Sequence, residues 1–221
     1  MEVHLPHWHN PHLGEYRWPV SAVAAIVVFL QVQLSEQFAM PAKVPVFIIE
    51  ILLLIALFIS SPKRIHKHHL PTRAIGFALT SVMTISNTVS AIKLIHSLIF
   101  GGIQSATTLL IAGGSIYLTN VVVFALWYWD LDRGGPGARA EAKNPYPDFL
   151  FPQMSDPKYA PKHWHPNFFD YMYVSITNAS AFSPTDAMPL SRWAKFLMTL
   201  QSLTSLLTVG LVIARAVNIL K

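Results

Sequence analysis

The sequence predicts an all-α polytopic membrane protein, with about five transmembrane helices and a re-entrant segment before the last helix. Three observations lead to this fold class. Hydrophobic residues make up 52% of the 221-residue chain and charged residues only 12%, whereas soluble domains carry about 25% charged residues. Several apolar segments approach the roughly 20 residues that a bilayer core requires. A polar turn at residues 182–186 interrupts the apolar pattern just before the last segment.

The transmembrane segments are predicted from runs of apolar residues that end near aromatic rings. They cover residues 18–33, 44–60, 74–99, 106–129 and 194–220. Tryptophans favour the interface between lipid and water, and four of them mark segment ends, at Trp18, Trp127, Trp129 and Trp193. No internal repeat is visible, so we expect one membrane domain. Its parts are a polar, His-rich amino-terminal segment (1–17), a four-span bundle (18–129), an amphipathic Pro-rich connecting loop (130–166), and a re-entrant segment with the last helix (167–221).

Lysine and arginine concentrate in two connections, 61–73 and 130–167, which are separated by two predicted spans. Two spans return the chain to the side that it left, so both connections should lie on one side of the membrane. Cytoplasmic loops carry an excess of Lys and Arg. The sequence therefore predicts a cytoplasmic amino terminus, an external carboxyl terminus and contact of the basic residues with lipid headgroups.

The polar turn is where we expect function. Residues 178–195, N-A-S-A-F-S-P-T-D-A-M-P-L-S-R-W-A-K, join an aromatic amphipathic segment to the last span. Polar backbone at membrane depth requires burial in protein or a water-filled cavity. A simpler interpretation stays open, in which Thr185 or Asp186 caps the last helix and Pro189 occupies its first turn.

The residues around this turn resemble the pore helix and filter of potassium channels. Residues 173–186 read Y-V-S-I-T-N-A-S-A-F-S-P-T-D, similar to the channel pattern W-W-S-V-x-T-A-T-T-V-G-Y-G-D. The similarity continues into D-A-M-P-L-S-x-x-x-K, where channels have D-L-Y-P-V-T-x-x-x-R. The resemblance implies a pore helix that includes Tyr173, Thr177, Asn178 and Ser180. It also implies a filter-like segment made of Phe182, Ser183, Pro184, Thr185 and Asp186.

The carboxyl-terminal half also resembles an uncharacterised family of bacterial multi-span membrane proteins, of the domain-of-unknown-function kind. The matching segments are F-A-L-W-Y at 124–128, D-F-L-F-P at 148–152 and P-N-F-F-D-Y-M-Y at 166–173. In that family an F-A-L-x-Y segment end precedes a G-x-D-F-P-like loop and a P-D-Y-x-D-x-x-Y segment. This resemblance implies a multi-pass protein of the bacterial inner (plasma) membrane.

The filter-like segment departs from the channel pattern at the glycines. Potassium filters coordinate the ion with backbone carbonyl groups, and their glycines reach backbone angles that strain other residues. Ser183 and Thr185 occupy those positions here, and Pro184 between them pushes Ser183 toward extended conformations. We therefore expect the Ser183 and Thr185 hydroxyls and the Asp186 carboxylate to be offered instead, without potassium-type selectivity.

Two ionisable residues lie inside predicted spans, Glu50 in the second and Lys93 in the third. The opposite directions of these spans place both residues at a similar depth. Charges within a membrane are costly and tend to pair, so we predict an ion pair between Glu50 and Lys93. Packing of adjacent helices is one interpretation of this pair, and a translocation or proton-relay pair is the other.

Other kinds of site receive little support from the sequence. There are no cysteines, which excludes disulfides and thiol chemistry. Histidines cluster without the helical spacing of metal ligands, and the nucleotide and hydrolase motifs are missing. We expect no enzyme activity, no cofactor, no metal and no nucleic-acid partner. The favoured function is a weakly selective, cation-permeable pore in a homo-oligomer, with a tetramer favoured and monovalent cations as the permeant ions. A secondary transporter with a site at the broken helix and a non-conducting scaffold remain alternatives.

Overall fold

The computed structural model describes residues 7–60, 63–67, 69–100, 105–156, 158, 160–161, 163–180 and 186–219. Its helices are α1 (Trp18–Gln33), α2 (Lys43–Ser60), α3 (Leu70–Phe100), α4 (Ala106–Leu131), α5 (Pro136–Ala140), α6 (Pro152–Ser155), α7 (Phe168–Ser180) and α8 (Arg192–Ile219). The described strands are β1 (Glu15–Tyr16), β2 (Arg64–Ile65), β3 (Phe149–Leu150) and β4 (Met188–Pro189), which form two small antiparallel pairs. The prediction of an all-α fold is confirmed at the level of the class.

Four helices are long and apolar enough to cross a membrane by length and composition, namely α2, α3, α8, and α4 together with the turn that follows it. Helix α1 is apolar but has only 16 residues, which corresponds to about 24 Å at 1.5 Å per residue. All the apolar segments predicted from the sequence therefore coincide with helices, but α1 is shorter than a full span.

Helix α4 lies at the centre of the bundle. It packs against α1, α3, α7 and α8, and 61% of its most apolar stretch is buried, against 11% for α2. Helix α8 runs antiparallel to α4, with Tyr128 against Gln201 near one end and Gly113 against Val212 near the other. A Cβ atom at Gly113 would lie only 2.7 Å from Val212 Cγ2, so the close approach of the two helices requires glycine there.

One end of the bundle, here called the basic end, collects residues 7–17 and the described residues of both basic connections. The β1–β2 pair fixes the start of α1 beside the connection that leads into α3. The β3–β4 pair fixes the long connection after α4 beside the start of α8. The described Lys and Arg residues of this end are Arg17, Lys63, Arg64, Lys67, Arg73, Arg133, Arg139, Lys143, Lys158, Arg192 and Lys195. Both connections thus lie at the same end of the bundle, as the charge pattern predicts.

Helix α7 begins at a capping box. Asn167 Oδ1 accepts a hydrogen bond from Phe169 N at 3.0 Å, and Asp170 Oδ2 accepts one from Asn167 N at 2.8 Å. Such reciprocal bonds satisfy N–H groups that a helix start leaves without partners. The buried residues of α7 then follow a helical repeat, at Phe168, Tyr171, Val174, Ser175 and Ala179.

Candidate functional site

The residues predicted for the pore helix all lie on α7, but only one of them joins α7 to another helix. Thr177 Oγ1 donates to the Tyr173 carbonyl at 2.9 Å, and Ser180 Oγ donates to the Thr177 carbonyl at 2.9 Å. These two hydroxyls are therefore used within α7, and the Tyr173 ring is exposed on its outer face. Asn178 Nδ2 instead donates to the Met198 carbonyl of α8 at 2.9 Å.

A polar cluster around Gln201 fastens α7 between α4 and α8. Gln201 Oε1 accepts from Tyr128 Oη at 2.6 Å and from Asn178 Nδ2 at 2.7 Å. Gln201 Nε2 donates to Ser175 Oγ at 2.6 Å and to the Ser175 carbonyl at 3.1 Å. Ser202 Oγ lies 3.1 Å from Asn178 Oδ1. Because hydrogen bonds satisfy both ends of the buried Gln201 amide, the cluster holds α7 without leaving a polar atom of that amide unpaired.

These contacts also fix how far α7 reaches along the bundle. The helix starts at the basic end, where Tyr171 Oη donates to Asp132 Oδ2 at 2.6 Å. Its last turn lies beside Ser202 of α8. Ser202 is ten residues beyond Arg192, where α8 begins, and this corresponds to about 15 Å. Helix α7 therefore ends partway along α8, whose 28 residues extend about 42 Å.

The chain is back at the basic end a few residues after α7 ends. Met188 and Pro189 form β4 against Leu150 and Phe149. Leu190 N donates to the Asp148 carbonyl at 2.8 Å, next to the start of α8. Both flanks of α7 thus lie at the same end of the bundle, while its carboxyl end points toward the middle.

Of the filter-like residues, Phe182, Ser183, Pro184 and Thr185 lie outside the described residues, and Asp186 is exposed. The alternative interpretation of the turn as a helix cap is wrong for Asp186 and Pro189. Helix α8 begins at Arg192, where Ser191 Oγ accepts from Ala194 N at 3.4 Å. Pro189 belongs to β4, because it pairs with Phe149 and so lies before the helix.

Buried acidic residues organise the start of the long connection, and the sequence analysis missed their role. Asp132 is fully buried and accepts from Tyr171 Oη, Asp148 N and Phe149 N. Asp148 in turn accepts from Arg133 N and from Trp193 Nε1, both at 2.9 Å. Trp127 and Trp129 mark the predicted end of the fourth span, but nothing in the sequence indicates that the charges after them are buried. In the structure residues 132–140 fold into the basic end, where Asp132 is buried.

A second buried group ties the amino-terminal segment to the same end. Arg139 Nη2 forms an ion pair with Glu15 Oε1 at 2.8 Å, and Trp129 Nε1 donates to Glu15 Oε2 at 2.7 Å. Nearby, His12 Nδ1 accepts from Gly14 N at 3.1 Å, and its ring stacks on His165 with centroids 3.7 Å apart. The pKa of His12 is lowered to about 3, first by burial and then by the charges of His165, Arg139 and Arg133 in that order. Glu15 carries no sequence signal for this role.

The prediction of an ion pair between Glu50 and Lys93 is wrong, because in the structure each of these residues has another partner. Lys93 Nζ donates to the Ala39 carbonyl at 2.5 Å, in the turn between α1 and α2. The Gln31 amide, oriented with its nitrogen toward the carboxylate, donates to Glu50 Oε1 at 2.9 Å. Glu50 and Lys93 do not pair although they lie at a similar depth, because Glu50 faces α1 and the serines Ser86 and Ser90 of α3.

Comparison of the chain with protein-family models, curated proteins and solved structures finds no match. The interpretation of its function therefore depends on the arrangement of α7, its polar anchors and the basic end. Within the described residues no group of three or more His, Asp or Glu side chains is placed to hold a metal ion.

Proposed function

We propose that the chain is an integral membrane protein in which α7 and residues 181–187 form a re-entrant segment. In this proposal several copies surround an axis, with four favoured, and let monovalent cations pass with weak selectivity. Residues 182–186 line the narrow part of the path, without the carbonyl filter of potassium channels.

The observation that carries the proposal is the course of the chain around α7. The helix starts at the basic end, stops beside Ser202 and is followed by a return to the basic end at β4. A helix that ends inside a membrane leaves carbonyl groups without intrahelical partners. Such backbone is tolerated only against protein or in a water-filled cavity. A pore lined by residues 182–186 would supply that cavity.

The outer face of α7 supports an oligomer. Phe169, Tyr173 and Ile176 form an exposed apolar stripe, at the i, i+4, i+7 spacing of one helix face. On α8, Phe196, Leu200 and Leu203 are also exposed. One re-entrant segment cannot enclose a path by itself, so neighbouring copies would have to complete the wall. Packing of these stripes against another copy would bring the ends of α7 together.

The direction of α7 favours cations over anions. The carboxyl end of a helix carries a partial negative charge, and in α7 that end points toward the middle of the bundle. The exposed Asp186 carboxylate adds a negative charge where the chain returns. Arg192 and Lys195 are exposed a few residues later in the chain, and their positive charges would reduce this preference for cations over anions.

The first test is ion flux into vesicles that contain the purified full-length protein. Asp186→Asn should reduce sodium and potassium flux by about threefold or more, since a ring of carboxylates would be lost. Pro184→Ala should change the flux as well. The matched control is Asp156→Asn, which removes a partly exposed carboxylate paired with Lys158 on the long connection, and it should leave flux unchanged. Chloride flux above cation flux, or equal effects of the two Asp variants, would contradict the proposal.

The second test is the oligomeric state, measured by cross-linking in the membrane. The chain has no native cysteine, so Tyr173→Cys introduces a single thiol on the stripe of α7. A flexible bis-maleimide cross-linker should join neighbouring copies through this thiol, because a ring repeats the position on every copy, whereas a direct disulfide is not expected since the two sides of a four-fold interface are different faces. A strictly monomeric protein in the membrane would discard the channel and leave the transporter or the scaffold.

A further inference from the structure

A cleft at the basic end lies apart from α7. It is bounded by α1, α2, α3 and the end of α4, and Ile65, Lys67, His69 and the turn at 134–137 lie at its mouth. Its empty space is about 760 Å³ when the part open to solvent is included. Neither the re-entrant segment nor its polar anchors line this cleft, so the proposed pore does not account for it.

The mouth of the cleft carries more positive than negative charge. Arg17 and Arg73 line it together with a single carboxylate, that of Asp130. Arg73 Nε lies 3.8 Å from Asp130 Oδ1, and Arg73 Nη2 donates to the Asp130 carbonyl at 3.2 Å. Lys67 adds a further positive charge. Asp130 thus pairs with Arg73 and acts on Arg17 only as a nearby charge, so the lining carries an excess of positive charge that an anion would balance.

Arg17 has one buried guanidinium nitrogen without a hydrogen-bond partner. Its residue is 7% exposed, and its Nη1 atom is buried without a hydrogen-bond partner among the described residues. A buried guanidinium N–H without an acceptor is costly. Burial lowers the pKa of Arg17, and Asp130 opposes that shift. An anionic oxygen in the cleft would satisfy Nη1 and would complete the charge balance.

Below the mouth the cleft becomes an apolar slot. Val20 and Ala24 of α1, Leu54 and Leu57 of α2 and Leu79 of α3 form its walls. The lining residues of α3 run from Thr72 to Thr80, a rise of about 12 Å. An inorganic anion would use only the mouth, whereas an amphiphile would also fill the slot and remove its apolar walls from water.

We propose that this cleft binds an anionic phospholipid of the surrounding membrane. The phosphate contacts Arg17 and Arg73 at the mouth, and the first part of one acyl chain lies in the slot. Trp18 is exposed beside Arg17, which agrees with an interfacial position of the mouth. Basic residues at this depth favour anionic lipid headgroups. The proposal does not depend on the pore, because no residue of α7 lines the cleft.

The experiment uses the full-length protein in detergent. Phosphatidylglycerol is titrated, and bound lipid is counted by native mass spectrometry. Arg17→Gln should weaken binding by about tenfold, which corresponds to one charged hydrogen bond. Asp130→Asn should strengthen binding, because it removes the competing carboxylate. A variant that only damages the fold would not gain affinity, so weaker or unchanged binding by Asp130→Asn would overturn the proposal.

Filling the slot provides a test without any change of charge. A Cβ atom at Gly76 meets only Asp130 Oδ2, at 3.6 Å, whereas one at Gly114 meets nothing within 4 Å. Gly76 lines the cleft and Gly114 does not. A leucine side chain at position 76 would therefore fill the slot, so Gly76→Leu should abolish lipid binding while Gly114→Leu preserves it. Equal binding of phosphatidylcholine, or full competition by millimolar inorganic phosphate, would overturn the assignment of the site to an anionic lipid. Unchanged binding by Gly76→Leu would overturn it as well.

Discussion

Arg139 Nη2 lies 2.8 Å from Glu15 Oε1, and both side chains are almost completely buried. The two residues are 124 positions apart in the chain. Their ion pair fastens the segment before α1 to the connection after α4, and Trp129 Nε1 donates to the second carboxylate oxygen of Glu15. Residues 12–17 are thereby part of the folded basic end.

We expect Glu15→Gln to destabilise the protein by about 3 kcal/mol or more, because it leaves the buried Arg139 guanidinium without its counter-charge. The matched control is Glu36→Gln, since Glu36 pairs with Lys43 at 3.3 Å but its side chain is 83% exposed. That change should cost about 1 kcal/mol or less. Denaturation of both variants in the same detergent measures the difference, and equal losses would contradict the buried-pair account.

Stability should fall in acid because of His12. Its pKa is about 3 in the folded protein, against an ordinary value of 6.5. Between these values the unfolded chain binds the additional proton, so stability is complete above about pH 6.5 and decreases as the pH falls toward 3. Protonation would also remove the acceptor that Gly14 N uses. His12→Gln should flatten the melting temperature between pH 6.5 and 4, whereas His66→Gln at an exposed site should not. A retained pH dependence in His12→Gln would assign it to other groups.

Gln201→Leu should release α7 from the bundle. The substitution removes the partner of Tyr128 Oη and one of the bonds of Asn178 Nδ2 and of Ser175 Oγ, and a buried polar group left unpaired costs about 1–3 kcal/mol. Hydrogen exchange should then increase in residues 168–180 before it increases in α2. Thr204→Val is the control, because the Thr204 hydroxyl bonds only within its own helix, to the Leu200 carbonyl. Unchanged protection of α7 in Gln201→Leu would show that apolar packing alone holds this helix.

Gly113→Ala should destabilise the contact of α4 with α8 by about 1–3 kcal/mol, since the added methyl group overpacks the interface. Its Cβ would lie 2.7 Å from Val212 Cγ2. Gly114→Ala has open space and should be neutral or should stabilise α4 by about 0.5–1 kcal/mol. Adding Val212→Ala to Gly113→Ala should recover part of the loss in a thermal melt, whereas strictly additive losses would argue against direct contact.

The topology of the chain can be measured with single cysteines. His66→Cys and Tyr146→Cys lie at exposed positions of the basic end, and Gln37→Cys lies at an exposed position toward the opposite end. With a cytoplasmic basic end, an impermeant thiol reagent on intact cells should label Gln37→Cys only. Labelling of His66→Cys and Tyr146→Cys but not Gln37→Cys would invert the orientation. Labelling of His66→Cys without Tyr146→Cys would show that the two connections lie on different sides.

The local pattern of the chain was enough to predict where the long helices lie and that both basic connections meet at one end. Apolar length and charge distribution act over neighbouring residues, so they can be read without knowing the fold. The short helix before residues 181–185 was also predictable, from its amphipathic pattern. The conformation of Ser183, Pro184 and Thr185 stays a prediction, because these residues lie outside the described part of the chain.

The sequence did not show which polar side chains contact one another, because these contacts depend on how the helices pack. Glu50 and Lys93 have similar depth, yet Glu50 meets Gln31 and Lys93 meets the Ala39 carbonyl, because the rotation of each helix about its axis selects the partner. Local apolar patterns were sufficient to predict which segments form the long helices. Only the packing of α1 and the long connection around the end of α4 decided which charges are buried, since burial depends on contacts between residues far apart in the chain.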